Sequence, residues 1–120
     1  MEDMRIGVVE TQFADIIWKN EPLTSGELVA LCEKQLNWKK STTYTVLKKL
    51  CDKGLFKNEK SIVTSLVSKD EYMGIQSEQF VEETFEGSLP AFIAAFSKRK
   101  KLSEKEIQQI RQMIDGYGER

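Results

Sequence analysis

The 120-residue sequence contains no histidine and only two cysteines. Histidine is the commonest general base and metal ligand near neutral pH, so its absence removes most nucleophile–base pairs and metal sites. Cys32 and Cys51 match no metal-ligand spacing. The neighbouring carboxylates Glu82–Glu83 and Glu104–Glu106 are predicted on solvated helix faces or in a helix cap. We therefore expect no enzyme, no metal site and no cofactor.

Long apolar runs are absent as well. No stretch approaches the ~20 residues that cross a bilayer as a helix, and Met1–Ile6 lacks the hydrophobic region of a secretory signal. Apolar residues make up 40% of the chain and charged residues 31%, which is typical of soluble globular proteins. We predict a small cytoplasmic protein without membrane insertion.

The charge is nearly balanced overall but uneven along the chain. The formal net charge is −1, which argues against a protein that coats nucleic acid without selection. Between residues 38 and 60, however, seven lysines are offset by only two carboxylates, a local excess of five positive charges. A basic segment in an otherwise acidic chain is the electrostatic pattern of a specific nucleic-acid binder.

A helix predicted over Ser41–Lys53 lies inside this basic segment. Its apolar stripe recurs at helical period and consists of Thr43, Val46, Leu47 and Leu50. Hydroxyl and lysine side chains occupy the other face. A helix that reads a DNA major groove has this division, because side chains near its amino end reach base edges while basic residues hold phosphates. An amphipathic helix with a solvated basic face fits the segment equally well, so its surroundings must decide.

Two helices are predicted before it, and the three together make a helix-turn-helix unit. The second begins at a capping box formed by Thr24 and Glu27 and ends near Asn37. The first spans about Gly7–Lys19, and its expected buried stripe is Val9, Phe13, Ile16 and Ile17.

After Gly54 the hydrophobic period changes from helical to alternating. Leu55–Asn58 and Ile62–Val67 are predicted as short strands around a polar turn. A hairpin directly after a DNA-reading helix is the wing of a winged helix, in which Lys57 and Lys60 would reach flanking phosphates. Alternatively, the hairpin only covers the core.

Three more helices are predicted over Lys69–Phe85, over Ser88–Lys98 and from a capping box at Ser103–Glu106. Their apolar residues exceed what so small an appendage buries by itself, so we expect them to pack across a homodimer. The predicted dimerisation residues are Phe80, Phe85, Leu89, Phe92, Ile93, Phe96, Ile107, Ile110 and Ile114. The predicted fold is mainly α with a small β-hairpin wing: a winged helix-turn-helix DNA-binding domain over 1–68 and a C-terminal helical dimerisation domain over 69–120.

Six segments, in order along nearly the whole chain, carry a resemblance to a known family. They are Glu10–Trp18, Leu23–Val29, Ser41–Leu50, Lys53–Leu55, Leu66–Tyr72 and Leu102–Arg111. In this combination they resemble the penicillinase-repressor family (BlaI/MecI/CopY) of winged-helix transcriptional repressors. No single motif is decisive, whereas the ordered combination is specific.

This resemblance implies a homodimeric repressor that binds double-stranded DNA at a pseudo-palindromic operator with half-sites of the TACA/TGTA type. The family's DNA-contacting positions fall on the exposed face of the third predicted helix. We predict contacts to base edges from Ser41, Thr42, Tyr44 and Thr45, and contacts to phosphates from Lys39, Lys40, Lys48, Lys49 and Lys57.

The sequence departs from the family's pattern in three ways. The third predicted helix has lysines but no arginine, which weakens bidentate reading of guanine. The wing has Ser61 and Val63 where tyrosines are usual. The antibiotic-responsive branch is cut at an Asn–Phe bond through a membrane sensor-protease pathway, and the aligned pair here is Ala95–Phe96. The tail also lacks the cysteine-rich metal motif of the copper-responsive branch, so the sequence identifies no inducing signal and no sensor or protease partner.

A protein-interaction module without specific DNA binding is the alternative function. The missing arginines and the net charge of −1 favour it. The hydroxyl-rich start of the third predicted helix and the local basic excess favour DNA binding.

Overall fold

A computed structural model describes residues 4–118, in which the chain forms six α-helices and three short β-strands. The helices are α1 (Val8–Asn20), α2 (Ser25–Leu36), α3 (Lys40–Asp52), α4 (Lys69–Phe85), α5 (Leu89–Arg99) and α6 (Glu104–Gly118). The strands are β1 (Leu23–Thr24), β2 (Phe56–Glu59) and β3 (Ile62–Ser65). The predicted fold class is therefore confirmed. Residues 1–3 and 119–120, at the ends of the two predicted domains, lie outside the described residues.

The chain divides into two compact units that meet between Glu78 and Gln79, inside α4. The first unit holds α1, α2, α3, the three strands and the start of α4. The second unit holds the end of α4 together with α5 and α6.

Local capping signals set several helix ends where the sequence predicts them. At the start of α2, Thr24 Oγ1 accepts from the Glu27 N–H at 3.0 Å and Glu27 Oε1 accepts from the Thr24 N–H at 2.9 Å. This capping box is confirmed, and so is the one that Ser103 and Glu106 form before α6. Asn37 ends α2 in the left-handed conformation, with φ 57°, which asparagine tolerates better than most residues.

The core of the first unit lies between α1, α2, α3 and the sheet. Its fully buried aliphatic and aromatic side chains include Phe13, Ile17, Leu28, Leu50, Leu55, Phe56, Val63 and Tyr72. The prediction that Val9 belongs to this core is wrong, because Val9 is 53% exposed. The neighbouring Val8 is exposed as well, so the first turn of α1 lies outside the core and burial begins at Phe13.

The sheet is antiparallel, with the strand order β1-β3-β2. The predicted hairpin is present, but Leu55 and Val67 lie just outside its strands and are buried. The sequence did not predict β1, in which Leu23 pairs with Val63 and Thr24 with Ile62. Two residues are too few for an alternating pattern, and Thr24 carries the capping signal of α2.

Trp18 joins α1 to the wing and to the start of α4. Its indole Nε1 donates to the Val67 carbonyl at 3.0 Å. Its ring lies 5.5 Å from that of Phe56 in β2 and 5.4 Å from that of Tyr72 in α4, measured between centroids. Aromatic pairs at this spacing contribute about 0.5–1.5 kcal/mol beyond the area that they bury. Trp18 thus has a structural role in the first unit.

An ion pair connects α3 to α1. Lys49 Nζ lies 2.7 Å from Glu10 Oε2, and the Glu10 side chain is only 20% exposed. Glu10 Oε1 also accepts from the Gly7 N–H at 2.9 Å. These contacts lower the pKa of Glu10 below its ordinary value of 4.5. The hydrogen bond from Lys49 has the largest effect, and the one from the Gly7 N–H comes next.

Replacement of Glu10 by glutamine should remove this ion pair but keep an oxygen for the Gly7 N–H. Because the pKa of Glu10 is lower in the folded state, its charge stabilises the fold above pH 4.5, and this contribution is lost as the pH falls through the lowered value. We expect Glu10→Gln to lower the free energy of unfolding by about 0.5–1 kcal/mol at pH 7. Urea titrations at fixed protein concentration measure the free energy of unfolding. The values for wild type and Glu10→Gln should become equal as the pH falls into the acid range.

Glu33→Gln, at an exposed carboxylate of α2, is the matched control and should change little at either pH. Equal stabilities of wild type and Glu10→Gln at pH 7, or a difference that persists at about pH 2, would contradict the assigned role of the ion pair.

Tyr72 is fully buried, and its hydroxyl has no hydrogen-bond partner among the described residues. A desolvated hydroxyl without a partner costs about 1–3 kcal/mol. We therefore expect Tyr72→Phe to leave the free energy of unfolding unchanged or to raise it. Trp18→Phe, which leaves the Val67 carbonyl without its donor, should lower it by about 1–3 kcal/mol. Thermal or urea unfolding checks both, and a Tyr72→Phe protein that is clearly less stable than wild type would refute the expectation.

Candidate nucleic-acid interface

The face that α3 buries determines which side chains it presents to solvent. Thr43, Leu47 and Leu50 are at most 2% exposed, and the Thr43 hydroxyl donates to the Lys39 carbonyl at 3.4 Å. The remaining circumference of α3 carries all four predicted base-contacting residues and three of the predicted phosphate-contacting lysines. These exposed residues are Ser41, Thr42, Tyr44, Thr45, Lys40, Lys48 and Lys49.

The hydroxyl groups on this face are not equivalent. Thr45 Oγ1 donates to the Ser41 carbonyl at 2.9 Å, so its proton is committed to the helix while its lone pairs and methyl group remain available. Tyr44 Oη donates to Ser25 Oγ, across in α2, at 3.3 Å. The Lys40 ammonium lies 5.9 Å from the centroid of the Tyr44 ring, within the range of a cation–π contact.

The amino end of α3 is electrostatically unusual for a helix. Lys39 occupies the N-cap position without a side-chain hydrogen bond to the helix, and the first turn contains no acidic residue. Lys39 and Lys40 are both exposed there. Helices usually place carboxylates at this end, because its free N–H groups carry partial positive charge. The two lysines add further positive charge to a helix end that favours an anion.

The other predicted phosphate-contacting lysines lie near carboxylates of the same chain. Lys48 pairs with Asp52 at 3.2 Å and Lys57 with Glu59 at 3.6 Å, both on the exposed surface. Such exposed pairs contribute little and exchange easily. Lys49, by contrast, is held by the partly buried Glu10.

The wing turn is attached to the amino end of α2. Lys60 and Ser61 connect β2 and β3 with φ values of 51° and 65°, which are the left-handed values that two-residue hairpin turns require. The Ser25 N–H donates to the Ser61 carbonyl at 2.9 Å. Val63, one of the two positions where the family usually has a tyrosine, is fully buried. That position therefore contributes to the core and presents nothing to a ligand.

An open cleft of about 370 Å³ lies between α3 and β2, lined by Tyr44, Leu47, Lys48, Cys51 and Asn58. Burial, and after it the charge of Asp52, raises the pKa of the Cys51 thiol. Burial also raises the pKa of Cys32. A cysteine acts as nucleophile or metal ligand through its thiolate, so neither environment favours that chemistry.

The second unit exposes most of the residues predicted to form a dimer. Four phenylalanines pack in a chain, with centroid distances of 5.6–6.1 Å between successive partners: Phe80, Phe85, Phe92 and Phe96. Phe80 remains 50% exposed, Leu89 54% and Ile114 56%. An apolar groove of about 240 Å³ runs between α5 and α6, and its lining includes Ile93, Ile107, Ile110 and Ile114. Because α5 and α6 contain no fully buried residue in the described chain, this apolar surface is available for association.

Ala95–Phe96 is the pair that aligns with the bond cut in the antibiotic-responsive branch of the family. It lies inside α5. Ala95 is half-buried and Phe96 is 44% exposed. The Phe96 carbonyl accepts from the Lys100 N–H at 3.0 Å, so the backbone there is part of regular hydrogen-bonded helix.

Residues 4–118 contain no cluster of three or more cysteine, aspartate or glutamate side chains arranged to hold a metal ion. Among the helices in the same range, none is both long and apolar enough to cross a membrane.

Sequence patterns did not identify Ser25 as a residue of this interface. It follows the cap residue Thr24, and no local pattern indicates a contact with Tyr44, which lies 19 residues further along the chain. The sequence offers one weak signal for this contact, which is a serine at the first position of the second helix.

Comparison with known proteins gives full-length similarity to repressors. The penicillinase repressor of Bacillus licheniformis is 23% identical over 120 residues, covering 97% of this chain and 94% of the relative. The methicillin resistance regulatory protein MecI of Staphylococcus aureus strain Mu50 is 23% identical over 114 residues, covering 92% and 93%. A penicillinase repressor of Staphylococcus aureus is 22% identical over 118 residues, covering 95% and 94%.

The family model described as "Penicillinase repressor" matches residues 6–116. This range includes the whole of α3, the wing and nearly all of the second unit. It agrees with the resemblance that the ordered sequence segments carry, and the similarity extends over all six helices. The chain therefore belongs to the penicillinase repressor family.

Proposed function

We propose that this protein is a sequence-specific, DNA-binding transcriptional repressor that acts as a homodimer on a pseudo-palindromic operator in the cytoplasm. Residues 1–68 would form the DNA-binding domain and residues 69–120 the dimerisation domain. The observation that carries the proposal is the exposed face of α3, which presents hydroxyl and lysine side chains while its opposite face is fully buried. Two of the relatives are named penicillinase repressors, which supports a repressor.

The charge at the start of α3 supports contact with a phosphate backbone. Lys39 and Lys40 stand at a helix end that lacks both a side-chain cap and a carboxylate. An arrangement that disfavours the isolated helix becomes favourable once an anion binds to the free N–H groups. Neither lysine has an ion-pair partner within residues 4–118, in contrast to Lys49. The amino end of α3 would therefore provide the principal phosphate contacts.

The residue types on the exposed face suit a site rich in A·T pairs. The hydroxyls of Ser41 and Thr42 would donate or accept at base edges, whereas those of Tyr44 and Thr45, whose protons are already donated within the protein, would accept. The threonine methyl groups fit the thymine methyl group in the major groove. Without an arginine, α3 lacks the usual bidentate reader of guanine. This chemistry is compatible with half-sites of the TACA/TGTA type.

Self-association through the second unit supports the palindromic site. The exposed apolar side chains of α5 and α6 have no covering layer in the described chain, and a two-fold contact between two copies would bury the same surface on each. A two-fold dimer places its two reading helices on symmetric half-sites.

One observation favours a protein-interaction module instead. Lys48, Lys49 and Lys57 are each paired with a carboxylate of the same chain, which reduces the charge free to meet phosphates. Such a module would keep the exposed apolar groove but would elute identically with and without duplex DNA in gel filtration.

Two substitutions on α3 should separate phosphate contact from base reading. Lys48→Ala should weaken binding to all duplexes and reduce the slope of log affinity against log salt by about 0.9, because one phosphate contact is lost. Thr45→Ala should reduce the preference for a TACA/TGTA palindrome over a scrambled duplex, at a cost of about 1–3 kcal/mol on the palindrome alone. Fluorescence anisotropy of labelled duplexes at several salt concentrations measures both effects.

Lys34→Ala is the matched control, since it removes the same charge from the exposed end of α2, outside the predicted interface. It should leave palindrome binding and its salt slope nearly unchanged. If Lys48→Ala and Thr45→Ala both bind the palindrome as wild type does, the proposed docking face is wrong.

The groove between α5 and α6 should be required for self-association. Ile114 is 56% exposed there, and an aspartate in its place would bring an unpaired charge into an apolar contact. We expect Ile114→Asp to weaken dimerisation at least about tenfold and to reduce operator binding in parallel. Analytical ultracentrifugation over a concentration series measures the first effect and anisotropy the second.

Gln108→Asp introduces the same charge at an exposed polar position of α6 and should remain dimeric. A wild-type protein that sediments as a monomer at all concentrations would rule out the homodimer. An Ile114→Asp protein that stays dimeric would place the contact elsewhere.

A further inference from the structure

Ser25 connects the two parts of the first unit that carry the candidate DNA contacts. It is the first residue of α2 and only 7% exposed. Its Oγ accepts from Tyr44 Oη on α3 at 3.3 Å, and its backbone N–H donates to the Ser61 carbonyl in the wing turn at 2.9 Å. One buried residue outside the exposed face thus contacts both α3 and the wing.

The bond to Ser25 limits the motion of a large side chain on the exposed face. Tyr44 is 36% exposed, and a tyrosine on a solvent-facing helix surface normally samples several rotamers. Here its hydroxyl is held at the far end by Ser25, and the Lys40 ammonium lies 5.9 Å from its ring centroid. A side chain ordered before binding loses less conformational entropy when it meets its ligand.

The same residue restrains the wing. The turn at Lys60 and Ser61 has two residues other than glycine in the left-handed region, a conformation that costs free energy for side chains with a Cβ. The bond from the Ser25 N–H to the Ser61 carbonyl helps to keep the turn in this form beside α2. The direction of the wing tip is thereby tied to the residue that holds Tyr44.

We propose that Ser25 is a positioning residue for DNA recognition, which orders the Tyr44 side chain on α3 in register with the wing turn. This inference rests on the proposed function. Ser25 itself would make no contact with DNA. It acts by holding Tyr44 in one orientation before the duplex arrives, so that Tyr44 distinguishes the operator from other sequences.

A purely structural role predicts a different outcome. The side-chain cap of α2 is provided by Thr24 and not by Ser25, so loss of the Ser25 hydroxyl leaves the capping box intact. If Ser25 served only the packing and hydrogen bonding of the fold, its replacement would change the free energy of unfolding. The ratio of the affinities for operator and scrambled duplex would stay the same.

A double-mutant cycle on the full chain tests the proposal. The operator is the duplex that wild type selects from a random pool, and a scrambled version of it is the reference. We expect Ser25→Ala and Tyr44→Phe each to weaken operator binding about three- to tenfold with little change on the scrambled duplex. Because Ser25→Ala removes only a hydrogen bond that Tyr44→Phe also removes, the double variant should lose no more than Tyr44→Phe alone.

Thr24→Ala is the matched control, since it weakens the start of the same helix without removing the contact between Ser25 and Tyr44. It should lower the unfolding midpoint and leave the ratio of the two affinities at its wild-type value. If Ser25→Ala folds poorly, Ser25→Cys takes its place in the cycle, because a thiol of similar size is a much weaker hydrogen-bond acceptor for the Tyr44 hydroxyl.

Three outcomes would overturn the inference while leaving the proposed function in place: additive losses in the double variant, single variants that bind the operator as wild type does, or equal losses on both duplexes. A wild-type protein that selects no sequence from the pool would overturn the proposed function and the inference together.

Discussion

Burial of one face of α3 is the constraint on which the rest of the interface depends. Thr43, Leu47 and Leu50 are held against the core of the first unit, and successive residues of a helix are about 100° apart around its axis. A shift of one residue would turn either Tyr44 and Lys48 or Thr42 and Lys49 toward the core. The only polar group on the buried face, the Thr43 hydroxyl, is satisfied within the helix. The orientation of α3 is therefore set by packing, and its exposed residues are free to serve recognition.

The lysine-rich segment is less uniform than its charge suggests. Glu10 holds Lys49 against α1, so this lysine contributes to the packing of α3 as well as to the positive potential. Lys48 and Lys57 have exposed carboxylate neighbours within 4 Å, whose attraction is weakened by water and salt. Lys39 and Lys40 have no carboxylate partner among residues 4–118, and they lie at the end of α3 where its free N–H groups point. Exposed lysines and free helix N–H groups therefore coincide at the amino end of α3.

Local sequence signals predicted the helices well, and contacts between distant residues account for what they missed. The capping boxes at Thr24 and Ser103 involve residues three apart, so the pattern is readable in a short window. The two-residue β1 exists only because β3 lies beside it. Val9 fits the apolar stripe of α1, but no other part of the first unit covers it. Periodicity alone therefore predicted a core that is one residue too large. The hydrogen bond between Tyr44 and Ser25 joins two helices, and no local sequence pattern in either helix predicts it. The fold class and the exposed face of α3 thus follow from sequence pattern, whereas the ordering of individual side chains follows from tertiary packing.

The position of Ala95–Phe96 within α5 has a consequence for turnover of the protein. Proteases bind their substrates in extended form, and a peptide bond inside a hydrogen-bonded helix does not offer that form. An enzyme that cut this bond would have to wait for α5 to unwind locally, so the rate would follow the population of the opened state. A second molecule packed on the α5–α6 groove would reduce that population further. Resistance to proteolysis at this bond would then report on how much of the protein is associated.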